Sequence, residues 1–410
     1  MTRGERGAYV AARKSALTEA LAAEPAWSDA ERAGFREVAR RLTALIHYQT
    51  LDELERLKDL YAPFDPAAPK PLQGGDPSAF VSEIEAILAQ ADFKEASSGT
   101  LLAEADRETL ADVRVRTRDA GVRTIRFFLR GARRETFSSK RFFGLVPRAI
   151  ETDVIDDVVV LVLLKSHDTL DPQEAKDLAR ARRGVRPGAV LLKHFSDVPH
   201  TELRALHPGA EPTMRRQDQL MLGVPAIAAG VPLVTQIINA ATVIFAVLAA
   251  YFGYQGAIDE SRLKQALAAL SGFVALGAYV MRQRLKLDRQ KLLYQKRLSD
   301  TVYFHTVANN EGVIDGLVNA AEHQEAKEAL LAYGLLRLQG PMTKADLDAA
   351  AETFIAERFG LQVNFDVADA LAKLERFGLS IVTPQGLAGV DTAQALRSLD
   401  AQWGAAFRAT

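Results

Sequence analysis

The sequence predicts an α+β membrane protein: an N-terminal helical and small α+β region, a two-helix transmembrane hairpin, and a C-terminal helical, winged-helix-like domain. Three observations predict it. Residues 219–258 run for 40 positions without a charge, and 265–281 for 17 more. The stretch IDDVVVLVLLK (155–165) sets seven apolar, mostly β-branched side chains in a row, as a buried strand does. Beyond residue 310, helically periodic segments precede a short two-stranded turn, the order of a winged helix.

Composition narrows the classes. The chain has 410 residues, 51 basic against 52 acidic, 48% hydrophobic and 25% charged, which is ordinary for a folded protein. A net charge of −1 gives no global pull toward nucleic acid. Cysteine is absent, which removes disulfide frameworks, thiol nucleophiles, iron–sulfur clusters and cysteine-bearing zinc sites.

Residues 1–62 read as an N-terminal helical region. MTRGERGAYVAARKSALTEALAAE has no apolar run of signal-peptide length and reads as an amphipathic helix. A longer helix starts at the cap Ser28, with Phe35, Val38, Leu42, Leu45 and Ile46 on one face. Proline and glycine make 63–77 a linker. Residues 78–218 form an α+β domain: a helix through PSAFVSEIEAILAQADF, then strands that include 155–165 and 188–195. Connections between the early strands are too short for crossovers, so the sheet is expected to be mostly antiparallel.

The mean hydropathy of −0.04 hides the uncharged segments. Residues 219–281 are expected to form the hairpin, with spans at about 231–252 and 265–281, since about 20 apolar residues cross a bilayer core. A hydrophobic hairpin buried in a large core is the alternative, but the first segment is longer than such helices usually are. Arg215 and Arg216 precede the first span. Arg282, Arg284, Lys286, Arg289, Lys291, Lys296 and Arg297 follow the second, opposed only by Asp288. The positive-inside rule then places both termini in the cytoplasm, with the protein multi-pass in a bacterial inner membrane. The same seven residues are candidates for holding anionic lipid head groups.

Residues 282–410 are expected to hold long helices and the winged-helix-like domain. From 298 onward there are 8 basic and 15 acidic residues, which argues against DNA and for protein contact or scaffolding.

FSDVPHTELRALHPG, the apolar hairpin and YQKRLSDTVYFHTVANNEGVIDGLVNAAEHQEAKEALLAYGLL resemble domain-of-unknown-function family 3754, the transmembrane protein 143-like family. The similarity spans roughly 140–400. Asn309, Asn310, Gly312, Glu325, Lys327 and Glu328 are its most specific part. The resemblance implies an integral membrane protein, organellar in eukaryotes and here bacterial, with no established activity or catalytic residues.

No phosphate loop, dinucleotide fingerprint, nucleophile elbow or H-E-x-x-H motif occurs. No catalytic residue, cofactor or metal is expected. Glu325 and Glu328 interrupt the apolar stripe of a long helix, and buried carboxylates need partners. Two readings stand: a carboxylate pair for a cation or proton relay, or ion pairs that fix the helix. Asn309 and Asn310 join these two as buried polar candidates. The expected function is a membrane-anchored scaffold or assembly protein with an unknown protein partner. The alternative is a transport or channel subunit of oligomerised hairpins.

Overall fold

The computed structural model describes residues 8–68, 75–97, 114–117, 121–141, 146–181, 185–213, 245, 248–249, 251–253 and 260–406. The chain divides into two compact units. One comprises Met1–Arg107, Asp119–Leu203 and His305–Thr410; the other comprises Glu108–Arg118 and Arg204–Phe304.

The first unit opens with α1 (Lys14–Ala22) and α2 (Asp29–Tyr61). Ser28 caps α2 through a reciprocal box. Its hydroxyl accepts from the Glu31 amide at 3.3 Å, and its own amide donates to the Glu31 carboxylate at 3.2 Å. Phe35, Val38, Leu42, Leu45 and Ile46 are all buried, as their spacing predicts. After α3 (Ser78–Gln90) comes a five-stranded antiparallel sheet in the order β1–β3–β4–β5–β7. Its strands are β1 (Lys94–Ala96), β3 (Val122–Arg141), β4 (Val146–Leu164), β5 (Val190–Pro199) and β7 (Thr306–Asn309). Helix α4 (Pro172–Ala181) lies between β4 and β5 in sequence. The 158–162 run is continuously apolar because both faces of β4 are buried there: Val158, Val160 and Val162 on one side, Val159 and Leu161 on the other.

Helix α6 (Glu311–Gln339) is buried along most of its length and contacts α1, α2, α3 and α7 (Lys344–Phe359) and α8 (Val367–Phe377). Its first half closes a core with α3 and one sheet face, through Val313, Ile314 and Leu317 against Ile84, Val159 and Leu192. Its second half enters a separate helical core with Leu21, Phe35, Leu347 and Leu374. A capping box at Thr343 starts α7, and glycines at positive φ, Gly360 and Gly378, end α7 and α8. A hairpin of β8 (Ser380–Thr383) and β9 (Gly386–Gly389) follows, with Met342 bridged to Leu387, and then α9 (Thr392–Ala406). The order here is three helices, a two-stranded hairpin, called the wing below, and a closing helix.

In the second unit β2 (Arg114–Thr117) pairs with β6 (Ala210–Thr213), and the 46-residue helix α5 (Glu260–His305) runs out to the first unit's residue 305. Here the expectation of a membrane protein is corrected. The first expected span, 231–252, lies outside the described residues except for 245, 248–249 and 251–252. The second, 265–281, is a stretch of α5. Among the described residues no helix is long and apolar enough to cross a membrane. The uncharged part of α5 is 17 residues, rich in alanine and glycine, and the helix continues into charged residues at both ends. A span needs about 20 apolar residues. The α+β class stands. The transmembrane hairpin, the integral-membrane reading and the multi-pass inner-membrane location with cytoplasmic termini do not. The channel alternative falls with them, because it required hairpins to line a path.

Candidate functional site

Residues directly opposite in an antiparallel pair share a face. In the sheet, Phe128 faces Val159, which faces His194; one step along, Arg130 faces Asp157. The apolar face that packs on α3 and α6 therefore ends in three polar side chains, Arg130, Asp157 and His194. The Asp157 Oδ2 accepts from Arg130 Nη2 at 2.7 Å and from Nε at 3.1 Å, and Oδ1 pairs with His194 Nε2 at 2.8 Å. Arg130 Nη1 also donates to the Ala91 carbonyl at 3.2 Å. Its guanidinium lies 4.4 Å from the ring centres of both Tyr9 and Phe93, an arrangement that suits a planar, weakly hydrated cation.

Helix α6 meets the same N-terminal stretch from its own side. Gln324, Lys327 and Glu328 share a helix face at i, i+3, i+4. Lys327 Nζ donates to the Val10 carbonyl and lies 5.0 Å from the Tyr9 ring. Gln324 Nε2 donates to the Ala8 carbonyl at 3.3 Å and to Glu328 Oε1 at 2.8 Å. From α8, Lys373 Nζ donates to Glu328 Oε2 at 2.6 Å and to Asp369 Oδ2 at 2.5 Å. Residues 8–10 are thus tied down by a sheet residue and by a helix more than 300 positions away.

Most of these groups are out of water, and their proton affinities shift accordingly. Burial pushes Glu328 up to about 7, against the pull of Lys373. Lys373 serves two carboxylates, so the triad carries one negative charge in excess, and Glu328 is the deeper of the two acids. Burial pushes Asp92 up to about 6, although Lys373, Arg130 and Lys327 draw it down. Burial and the charge of Arg130 lower Lys327 to about 8. Burial would raise Asp157, but His194 and Arg130 outweigh it and hold the carboxyl below its usual value. Asp157 is then an acceptor only, so His194 Nε2 carries the proton of that bond. His194 Nδ1 and Asp92 Oδ2 are buried with no partner among the described residues. A Cβ at Gly316 would stand 3.9 Å from that Nδ1.

The two glutamates of α6 singled out in the sequence do not form a pair. Glu328 faces the interior triad. Glu325 pairs with Arg376 at 3.4 Å and lines a separate cleft of about 140 Å³ with Glu53, Glu322 and Gln49. Glu322 in that cleft pairs with His47 at 2.8 Å, and burial raises Glu53, helped by Glu325. Among the described residues no group of three His, Asp or Glu is placed to hold a metal ion. Asn309 ends β7 opposite Lys193, and Asn310 has φ +50° with its amide donating to the Leu192 carbonyl at 2.8 Å. Asn309 is exposed and Asn310 half-buried, so neither is the buried polar group expected of it; both serve the turn from the sheet into α6. Arg282, Arg284, Lys286, Arg289 and Lys296 are exposed on α5; the side chains of Lys291 and Arg297 lie outside the described set.

Tyr9, Asp92, Arg130, Asp157, His194, Lys327 and Lys373 went unrecognised in the sequence as one group. The available signal was an Asp pair, 156–157, placed immediately before an apolar strand, where a charge ends a buried face.

Residues 155–312 match the family model described as Protein of unknown function (DUF3754). The chain contains that domain of unknown function, as the resemblance implied. The DUF3754 segment takes in Asp157, His194, Asn309, Asn310 and Gly312, and stops before Glu325, Lys327 and Glu328. The match carries nothing on the transmembrane protein 143-like side of the resemblance. No solved structure matches the chain.

Proposed function

We propose that the chain acts through protein contact, as an interaction or assembly protein. The observation that carries this reading is the wing: Ile381 is 48% and Val382 85% exposed on β8, within a region of 8 basic and 15 acidic residues. An apolar tip on an acidic surface suits a protein partner and repels phosphate backbones. The buried polar network fits the same reading, since Arg130, Gln324 and Lys327 are engaged in fastening residues 8–10 to the sheet and to α6. The test is affinity capture of the tagged full chain from native extract beside Val382→Glu, with both proteins matched for thermal stability. The reading expects a defined partner to be retained by the parent and lost by the variant. A partner set unchanged by V382E would remove the wing as the contact surface.

A further inference from the structure

Helix α5 carries a second surface with a pattern of its own. Written as heptads, Ala278, Leu285 and Leu292 take a positions, and Val274, Met281 and Asp288 take d positions. All six are solvent-exposed. They mark a seam, apolar at five of its six positions, about 27 Å long at 1.5 Å per residue. The e positions are Arg282, Arg289 and Lys296, and the g position between them is Arg284, all exposed. The seam is therefore bordered on both sides by positive charge.

Three occupants can be compared on this pattern. A second copy of α5 would set Arg284 against Arg289 when parallel, and like flanks against each other when antiparallel, so self-pairing is repelled. The uncharged segment 219–258 has nothing to answer the basic flanks. A lipid surface wants an uninterrupted apolar face, whereas this seam holds the carboxylate Asp288 at one of its own positions. We infer that this face of α5 docks an acidic amphipathic helix of a partner protein, with apolar side chains on the seam, carboxylates against Arg282, Arg284, Arg289 and Lys296, and a basic residue opposite Asp288. The inference rests on the reading of the chain as an interaction protein but uses a different surface, so the wing and α5 stand or fall separately.

The test uses the full chain and synthetic helical peptides of about 21 residues, with leucine at a and d and either glutamate or lysine at e and g. Fluorescence anisotropy should show the glutamate peptide binding at least about tenfold more tightly than the lysine peptide, with the difference shrinking as salt rises. The triple variant Arg282→Glu, Arg289→Glu, Lys296→Glu should reverse the preference. Leu285→Asp should abolish binding of both peptides, while V382E should leave it unchanged. Equal affinity for the two peptides, binding of neither, salt-dependent self-association through α5, or binding to phosphatidylserine vesicles that the glutamate peptide cannot displace would each overturn the inference.

Discussion

The Lys373 ammonium lies 2.6 Å from the Glu328 carboxylate, a pair joined across 45 positions of chain and more than nine-tenths buried on both sides. A buried pair of this kind resists the loss of either member more than it adds to stability. Its titration follows from the same burial. Glu328 is held up at about 7 and Asp92 at about 6. An acid with a raised folded-state value binds its proton more tightly when folded. Its contribution to stability is complete below its ordinary value near 4.5 for glutamate, and is lost as pH rises through about 7. Lys327, lowered to about 8, works in the opposite sense, stabilising above its ordinary value near 10.5 and losing that contribution as pH falls through 8. Depressed acids such as Glu37 act only below about 4.5.

Unfolding free energy is therefore expected to fall between pH 5 and 7. Glu328→Gln should flatten that fall by up to about 1.4 kcal/mol per pH unit. Urea unfolding of both proteins at pH 5 and pH 7 checks it. An unchanged slope in E328Q would place the titration elsewhere.

Arg130→Ala should cost about 3 kcal/mol, because it leaves the buried Asp157 carboxylate with His194 Nε2 as its remaining partner. Arg130→Lys keeps the charge but loses the forked contact and the flat surface against Tyr9 and Phe93, so it should cost less than alanine yet still loosen residues 8–10. Denaturant melts measure the first effect, and amide exchange across 8–13 the second.

Asn310 holds φ +50° and its side chain makes no cap bond, so its role is to tolerate the backbone. Asn310→Gly should be at least as stable as the parent, and Asn310→Val less stable by about 1–2 kcal/mol. Thermal melts of the pair distinguish this from any side-chain function, in which case glycine would be as damaging as valine.

The full chain carrying Arg282→Glu, Arg289→Glu and Lys296→Glu, which removes the basic face of α5, should show no salt-sensitive affinity for duplex DNA, given the acidic charge balance of the region from 298 onward. Submicromolar binding by that variant that weakens steeply with salt would contradict both the charge argument and the use of the wing for protein contact.

Much of the local structure was readable in the sequence. Ser28 and Glu31 cap α2 with atoms three residues apart, so the signal is contained in one short string. The 158–163 run and the order of α7, α8 and the wing are likewise local patterns. The ionic network was not readable, because Tyr9, Asp92, Arg130, Asp157, His194, Lys327 and Lys373 come from seven separate places and each looks like an ordinary surface residue alone. The segment 265–281 misled for a related reason. Seventeen uncharged residues resemble a span when cut out, and they read differently as the middle of a helix that begins at Glu260 and carries basic side chains after Met281.

The sheet has one consequence for the chain while it is being made. Strand β5 ends at Pro199, and its neighbour β7 begins only at Thr306. At cellular synthesis rates the ribosome needs roughly 5–20 seconds to cover that interval. Throughout it, the open hydrogen-bonding edge of β5, with Leu192 and Phe195 beside it, has no native partner to receive. Helices α1 and α2 wait longer still, for α6. The order of synthesis thus leaves a half-built apolar unit exposed late, and a nascent-chain chaperone or faster translation across 204–304 would protect the yield of folded protein without altering any contact in the finished one.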